Sequence, residues 1–190
     1  MFRFSTNFYL FIKQRRTTMA DVNKIVPFIL KWEGGFSNDP DDLGGATNKG
    51  VTIGTYEAYC RKKGYPKPTI ERLKNLTQEQ WKDILKTMYW DKWKADEIHN
   101  QSVANILVDW VWASGAYGIK LPQKILGVTI DGIVGPKTLE AVNNRGPKGL
   151  FEAIKAERIA YIDRIIQARP ANKKFRKGWL NRINDLKFEV

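Results

Sequence analysis

The chain has 190 residues, 43% of them hydrophobic, which is enough for one domain, or a catalytic domain with a small appended module, and excludes a wholly disordered chain. Its formal charge of +12 points to a polyanionic partner: nucleic acid, an anionic membrane or an anionic bacterial wall. A single cysteine, Cys60, excludes an intramolecular disulfide, and the lone His99 has no partner at ligand spacing, so neither a metal site nor a Cys–His pair is expected.

In chain order, the apolar run from Phe8 to Ile12 is far shorter than the ~20 residues of a membrane span. Arg15 and Arg16 follow it, with no small-residue cleavage site, so the segment also makes a poor signal peptide. Residues 1–18 therefore read as a disordered or misassigned extension ahead of a start at Met19, and the protein as made in the cytoplasm without stable membrane insertion. Asp21 caps a helix over 22–32, whose Val22, Ile25, Val26, Phe28, Ile29 and Trp32 follow helical spacing, and Gly34-Gly35 stops it. From Phe36 to Val51 the Asp, Asn, Gly and Pro content predicts a loop or short hairpin. Thr52 or Thr55 caps a second helix ending at Gly64; Pro66 and Pro68 mark a linker. Thr77-Gln78-Glu79-Gln80 is a capping box that opens a helix to about Met88. Another helix covers 101–113, with Gly115 at its end.

After Gly118 the texture changes. The segment Asp131-Gly132 to Gly135 predicts a tight turn between short helices, the second covering 136–143 with Pro136 in its first turn. A long helix over 148–168 and a basic amphipathic helix over 172–187 complete the chain. The fold class is mainly α, with one small β-hairpin-like patch near residue 45.

Glu33 is the first candidate for chemistry. It ends an apolar helix beside Trp32 and precedes two glycines that let a polymer approach the backbone. Partial burial against aromatics favours the neutral carboxyl, which suits the acid that protonates a leaving sugar oxygen. Asp39 and Asp42 follow six and nine residues later, then Thr47, all in a polar loop that can fold back over the helix end. A carboxyl pair across a cleft is the arrangement glycoside cleavage requires. By spacing alone, however, a Glu at a helix end followed by an Asp-Gly loop more often means a cap and a turn.

The run Glu33-Gly34-Gly35-Phe36-Ser37-Asn38-Asp39-Pro40-Asp41-Asp42-Leu43-Gly44-Gly45-Ala46-Thr47-Asn48-Lys49-Gly50-Val51-Thr52 resembles the signature of glycoside hydrolase family 108, lysozyme-like N-acetylmuramidases. Phe36 stands where that family usually has Tyr, and Leu43 where it often has Pro. Tyr89-Trp90-Asp91-Lys92-Trp93 and Asp109-Trp110-Val111-Trp112-Ala113-Ser114-Gly115 resemble later parts of the same domain. The second half is similar to the small peptidoglycan-binding module that follows it in many members. The similarity lies in Gln123, Leu126, Gly127, Asp131-Gly132 and Gly135-Pro136, and in Phe175 with Gly178-Trp179-Leu180-Asn181-Arg182.

The resemblance implies a lysozyme-like helical domain over 19–117 and a helical wall-binding module over 118–190 packed on it. It also implies a monomer without cofactor that acts on peptidoglycan after release or export, in the manner of a prophage endolysin. Cleavage of the β-1,4 bond between N-acetylmuramic acid and N-acetylglucosamine is the expected reaction. Glu33 is then the general acid, and Asp42, Asp39 and Thr47 are candidates for steering water or steadying positive charge. Asp42 ranks first because a nine-residue Glu-to-Asp spacing recurs in phage-type lysozymes; holding the loop is an equal alternative for both aspartates. Tyr89, Trp90, Trp93 and Trp110 are the candidate sugar platforms, although aromatics at helical spacing more often fill a core. Lys173, Lys174, Arg176, Lys177 and Arg182 read as a solvated basic face suited to an anionic wall. The rival readings are a lytic transglycosylase, a non-catalytic wall-binding or secretion-assisting protein, and a nucleic-acid binder. The last lacks any zinc-finger or RNP pattern.

Overall fold

In the computed structural model, which describes residues 19–38 and 45–189, residues 1–18, Asp39 and Asp42 lie outside the described residues. The chain opens with a 3-10 turn over Val22–Lys24, where the Asp21 carboxylate accepts the Asn23 N–H. Helix α1 covers only Val26–Trp32. The single helix expected over 22–32 is divided because Pro27 has no N–H for a preceding turn and belongs at a helix start. Glu33 ends α1 in an extended conformation, φ −102° and ψ 141°.

Strands β1 (Thr47–Asn48) and β2 (Val51–Thr52) pair antiparallel, with Thr47 opposite Thr52. Between them Lys49 and Gly50 have φ of 47° and 76°, the two positive angles of a type I′ hairpin turn. Ser37 and Thr47 exchange two backbone hydrogen bonds of 2.8 Å, which hold the segment after α1 against the hairpin.

Helix α2 (Ile53–Lys63) starts where the Thr52 hydroxyl accepts the Thr55 N–H and ends at left-handed Gly64. The expected linker contains a short helix, α3 (Ile70–Lys74), capped by the Thr69 hydroxyl and anchored by fully buried Leu73. The capping box of Thr77 and Gln80 opens α4 (Gln78–Leu85), as the sequence predicts. Its continuation over Lys86–Trp90 is a π-helical turn, a rare form that gathers at functional sites.

Helix α5 (Gln101–Ser114) buries Val103, Ala104, Ile106, Leu107, Val108, Trp110 and Val111, too many to fit one stripe. It is therefore the central helix. Helices α6 (Tyr117–Leu126) and α7 (Pro136–Asn144) are joined by the turn expected at Asp131-Gly132. Buried Gln123 ties this turn, donating to Asp131 at 2.8 Å and accepting the Gly132 N–H at 2.9 Å. The long α8 (Pro147–Ala168) lies against α5, and a 3-10 turn over Pro170–Phe175 leads to α9 (Arg176–Asp185). Buried apolar residues from Ala20 to Leu186 form one contiguous cluster, so the two expected units share a core.

Gly118 sets the approach of α6 to α5. A Cβ there would lie 2.4 Å from the Val111 nitrogen and 2.5 Å from the Trp110 carbonyl carbon, backbone that cannot yield without moving a helix. Gly118→Ala should therefore destabilise the fold by ~3 kcal/mol, at the upper end of overpacking costs, read as a lowered urea midpoint at unchanged slope.

Candidate active site

The geometry around Glu33 starts from three chain segments. The end of α1 aims its carboxyl toward the last turns of α5, where the Trp112 indole N–H donates to Glu33 Oε1 at 2.7 Å. From α9, Arg182 Nη1 donates to the same Oε1 at 2.8 Å. The hairpin tip closes the other side: a Cβ on Gly50 would lie 2.5 Å from Glu33 Oε2 and 2.6 Å from Trp112 Cζ2. Only a residue without a side chain fits here, and the φ of 76° reinforces that choice. Among the described residues no donor reaches Oε2. The carboxyl is thus anchored through one oxygen, and its side chain remains 15% exposed.

Tyr89 completes the wall. It lies in the π-helical turn with its ring centroid 4.6 Å from that of Trp112. Burial pushes its phenol above the ordinary value; a hydrogen bond to Thr55 opposes this, and the neighbouring Glu33 charge adds to it. The acid is therefore enclosed by an indole, a phenol, a glycine and a guanidinium.

Arg182 is itself held from behind. Its Nε and Nη2 donate to Asp109 Oδ1 at 3.1 and 2.8 Å, while Arg158 Nη2 donates to Asp109 Oδ2 at 2.8 Å. Asp109 is 0% exposed and Arg158 3% exposed, so Glu33, Arg182, Asp109 and Arg158 form a buried chain of alternating charge that sums to zero. Helix α9 grips the end of α1 a second time: Asp185 accepts Lys31 Nζ at 2.7 Å and the Trp32 indole N–H at 2.9 Å. Residues 182 and 185 share one face of α9, as an i, i+3 pair must.

Burial alone would raise the Asp109 carboxyl, but the Arg158 and Arg182 guanidiniums outweigh it and hold it below the usual carboxylate range. The unfolded chain therefore takes up this proton at higher pH than the folded chain. Its contribution to stability is complete above the ordinary value of about 4 and is lost as pH falls through the lower folded value. Melting temperatures followed downward from pH 5 should fall more steeply for the wild type than for Asp109→Asn. Arg182→Ala should cost ~3 kcal/mol in urea unfolding at neutral pH, because it strips one guanidinium from a buried carboxylate.

The residues singled out from sequence divide clearly by position. Trp90, Trp93 and Trp110 are buried core, with the Trp90 indole donating to Asp96 at 2.7 Å and the Trp93 indole to the Gly118 carbonyl at 3.2 Å. Their faces are covered, which leaves Tyr89 as the member of that set beside Glu33. Trp32, the expected aromatic neighbour of the acid, engages Asp185; Trp112 takes that place. Thr47 is in β1, and its hydroxyl donates to the Gly45 carbonyl at 3.3 Å. Asp39 and Asp42 fall in the part of the loop outside the described residues. Of the basic set, Lys173, Lys174 and Lys177 are exposed, and Arg176 pairs with Asp163 at 3.0 Å. Arg182 departs from the expected solvated face: Glu33 and Asp109 draw it inward until 14% of its side chain is exposed.

The sequence alone does not mark Gly50, Trp112, Arg182 and Asp109 as neighbours of the acid; the structure does. Two of them left a signal. Asp109 is the one charged residue of its helix, set in the apolar run from Ile106 to Ala113, and needs a buried partner. Gly50 occupies the second turn position of a two-residue hairpin.

Residues 26–115 match the family described as Glycosyl hydrolase 108, and residues 117–184 match the family described as Predicted Peptidoglycan domain. Among solved structures, the chain is similar to Brucella abortus SagA, at 31% sequence identity and a TM-score of 0.72, over 87% of this chain and 90% of that one. No match was found among curated proteins.

Proposed function

The chain belongs to the glycosyl hydrolase 108 family and acts on peptidoglycan, and from that premise we propose that it hydrolyses the β-1,4 bond between N-acetylmuramic acid and N-acetylglucosamine with Glu33 as general acid. The observation that carries this reading is the one-sided anchoring of the carboxyl. An ion pair engaging both oxygens would silence an acid. Among the described residues Trp112 and Arg182 converge on Oε1 and none donates to Oε2, which is placed to hold the proton and present it to the leaving sugar oxygen.

Protonated, Glu33 contributes no charge, and the remaining Arg158, Asp109 and Arg182 sum to one positive charge. Once the proton has gone to the leaving group, the new carboxylate meets Arg182 and the Trp112 N–H already in place. The product state of the acid is thereby stabilised without reorganisation. Asp42, Asp39 and Thr47 remain the candidates for steering water to the anomeric carbon; the one-proton step at Glu33 does not need them, but hydrolysis does. Tyr89 is the proposed sugar contact beside the acid. No metal or organic cofactor enters this scheme. The net charge of +12 favours accumulation on the anionic wall, and a monomer suffices because one chain supplies every named group. Among the described residues no helix is long and apolar enough to cross a membrane.

Mass spectrometry of digested wall tests the reaction. Hydrolysis gives fragments with reducing N-acetylmuramic ends, one water heavier than those of a lytic transglycosylase. Products carrying 1,6-anhydro ends would overturn hydrolysis.

A further inference from the structure

Glu33 is held from both sides of a family boundary. Glu33 and Trp112 lie in the segment that matches the glycosyl hydrolase, residues 26–115, whereas Arg182 lies in the segment that matches the peptidoglycan domain, residues 117–184. Among the described residues, Trp112 is the one donor that the first segment supplies to the Glu33 carboxyl; the other comes from α9. Helix α9 is itself pinned at both ends. Its first residue, Arg176, pairs with Asp163 of α8 at 3.0 Å. Beyond its last turn the Leu186 carbonyl accepts Lys155 Nζ at 3.1 Å, and the Glu189 N–H donates to the Ser102 hydroxyl at 2.9 Å. Between these ties the Phe188 ring centroid lies 5.8 Å from that of Phe151.

Arg182 uses this placement in three directions. Nε and Nη2 donate to buried Asp109 of α5, Nη1 donates to Glu33, and the guanidinium carbon lies 6.0 Å from the centre of the Phe28 ring of α1. A planar guanidinium carries its donors in a rigid fork, so fixing two of them on Asp109 fixes the third. Oε1 accepts from Nη1 whether Glu33 is ionised or carries its proton on Oε2, so the hold survives the proton transfer.

We propose that the C-terminal module is an integral part of the active site, in which Arg182, fixed by Asp109, is the residue that positions Glu33 for proton transfer. This role rests on Glu33 as general acid, the reading given above, and assigns to the module a task that wall binding alone does not include.

Arg182→Lys tests it in the full chain. The variant keeps a positive charge beside Asp109, but one ammonium cannot bridge Asp109 and Glu33 as the fork does. The readout is the ratio of two hydrolysis rates, for a phenyl and a 2,4-dinitrophenyl glycoside of the same chitooligosaccharide, measured on one preparation. Phenolate needs the proton of the acid to leave and dinitrophenolate does not, so the ratio is independent of the folded fraction and of wall affinity. The expected result is a ratio at least about tenfold below that of wild type, with sedimentation on wall fragments unchanged. Asp109→Asn, which leaves one acceptor for two guanidiniums, should lower the ratio as well. A smaller fall for Arg182→Lys overturns the proposal: equal losses on both glycosides make the ion pair merely structural, and lost sedimentation makes Arg182 a wall contact. Glu33→Gln separates the two levels. A wild-type ratio for that variant means that the acid itself is misassigned, whereas a low ratio there with a normal one for Arg182→Lys removes the positioning role alone.

Discussion

Glu33→Gln should lower clearing of purified wall roughly a thousandfold while leaving sedimentation with wall fragments unchanged. The substitution keeps the shape of the side chain and its acceptor oxygen, so the Trp112 and Arg182 N–H groups retain a partner. What it removes is the acidic proton, and the amide nitrogen cannot supply one. The +12 chain and its C-terminal half remain intact, so wall affinity persists. A non-catalytic wall-binding protein would show no difference between the two forms. Clearing by the variant within threefold of wild type would remove Glu33 from the reaction.

Gly50→Ala should be almost as damaging, with at least a hundredfold loss of clearing. Its added Cβ would come within 2.6 Å of the Glu33 carboxyl carbon and of Trp112 Cζ2, and within 2.5 Å of Oε2. The backbone φ of 76° adds strain of order 1 kcal/mol for any residue with a side chain. The carboxyl must then rotate away or the hairpin must lift, and either breaks the placement of Oε2. Because the Trp81 indole ties this tip to the core through the Lys49 carbonyl at 2.9 Å, the expected signature is lost activity together with a measurable fall in melting temperature. Lys49 gives the control. It also has positive φ but is exposed, and Lys49→Gly should leave clearing unchanged.

Local chemistry made much of the fold legible. The cap at Thr77, the stop at Gly64 and the start at Pro136 each depend on a few adjacent residues, and each appears where the sequence places it; of the two caps offered for α2 the chain uses Thr52, and α8 begins one residue early, at Pro147. Pro27 is just as local a signal, but the apolar spacing runs unbroken across it and masks the helix start that its missing N–H imposes. The short α3 was hidden by two prolines immediately before its Thr69 cap.

The site was legible only in part, for reasons of distance and direction. Arg182 meets Glu33 across 149 residues of sequence, and nothing near either residue announces the other. Trp110 and Trp112 are two positions apart on α5, about 200° around the helix, so they face opposite ways. One joins the core, the other reaches the acid; periodicity alone cannot say which. The aromatic run at Tyr89-Trp90 illustrates the same limit. The π-helical turn presents Tyr89 to Glu33 while Trp90 goes inward, and only the coordinates of that turn reveal the division.

Delivery of a proton from one oxygen of Glu33 to the departing sugar can be isolated by making that proton unnecessary. Wild type and Glu33→Gln are compared on a chitooligosaccharide bearing a 2,4-dinitrophenyl leaving group, which departs as a stable anion. The variant, crippled on wall, should cleave this substrate within about tenfold of wild type, since it lacks only the acid. An equally deep loss on both substrates would contradict it and make Glu33 a positioning residue for some other group.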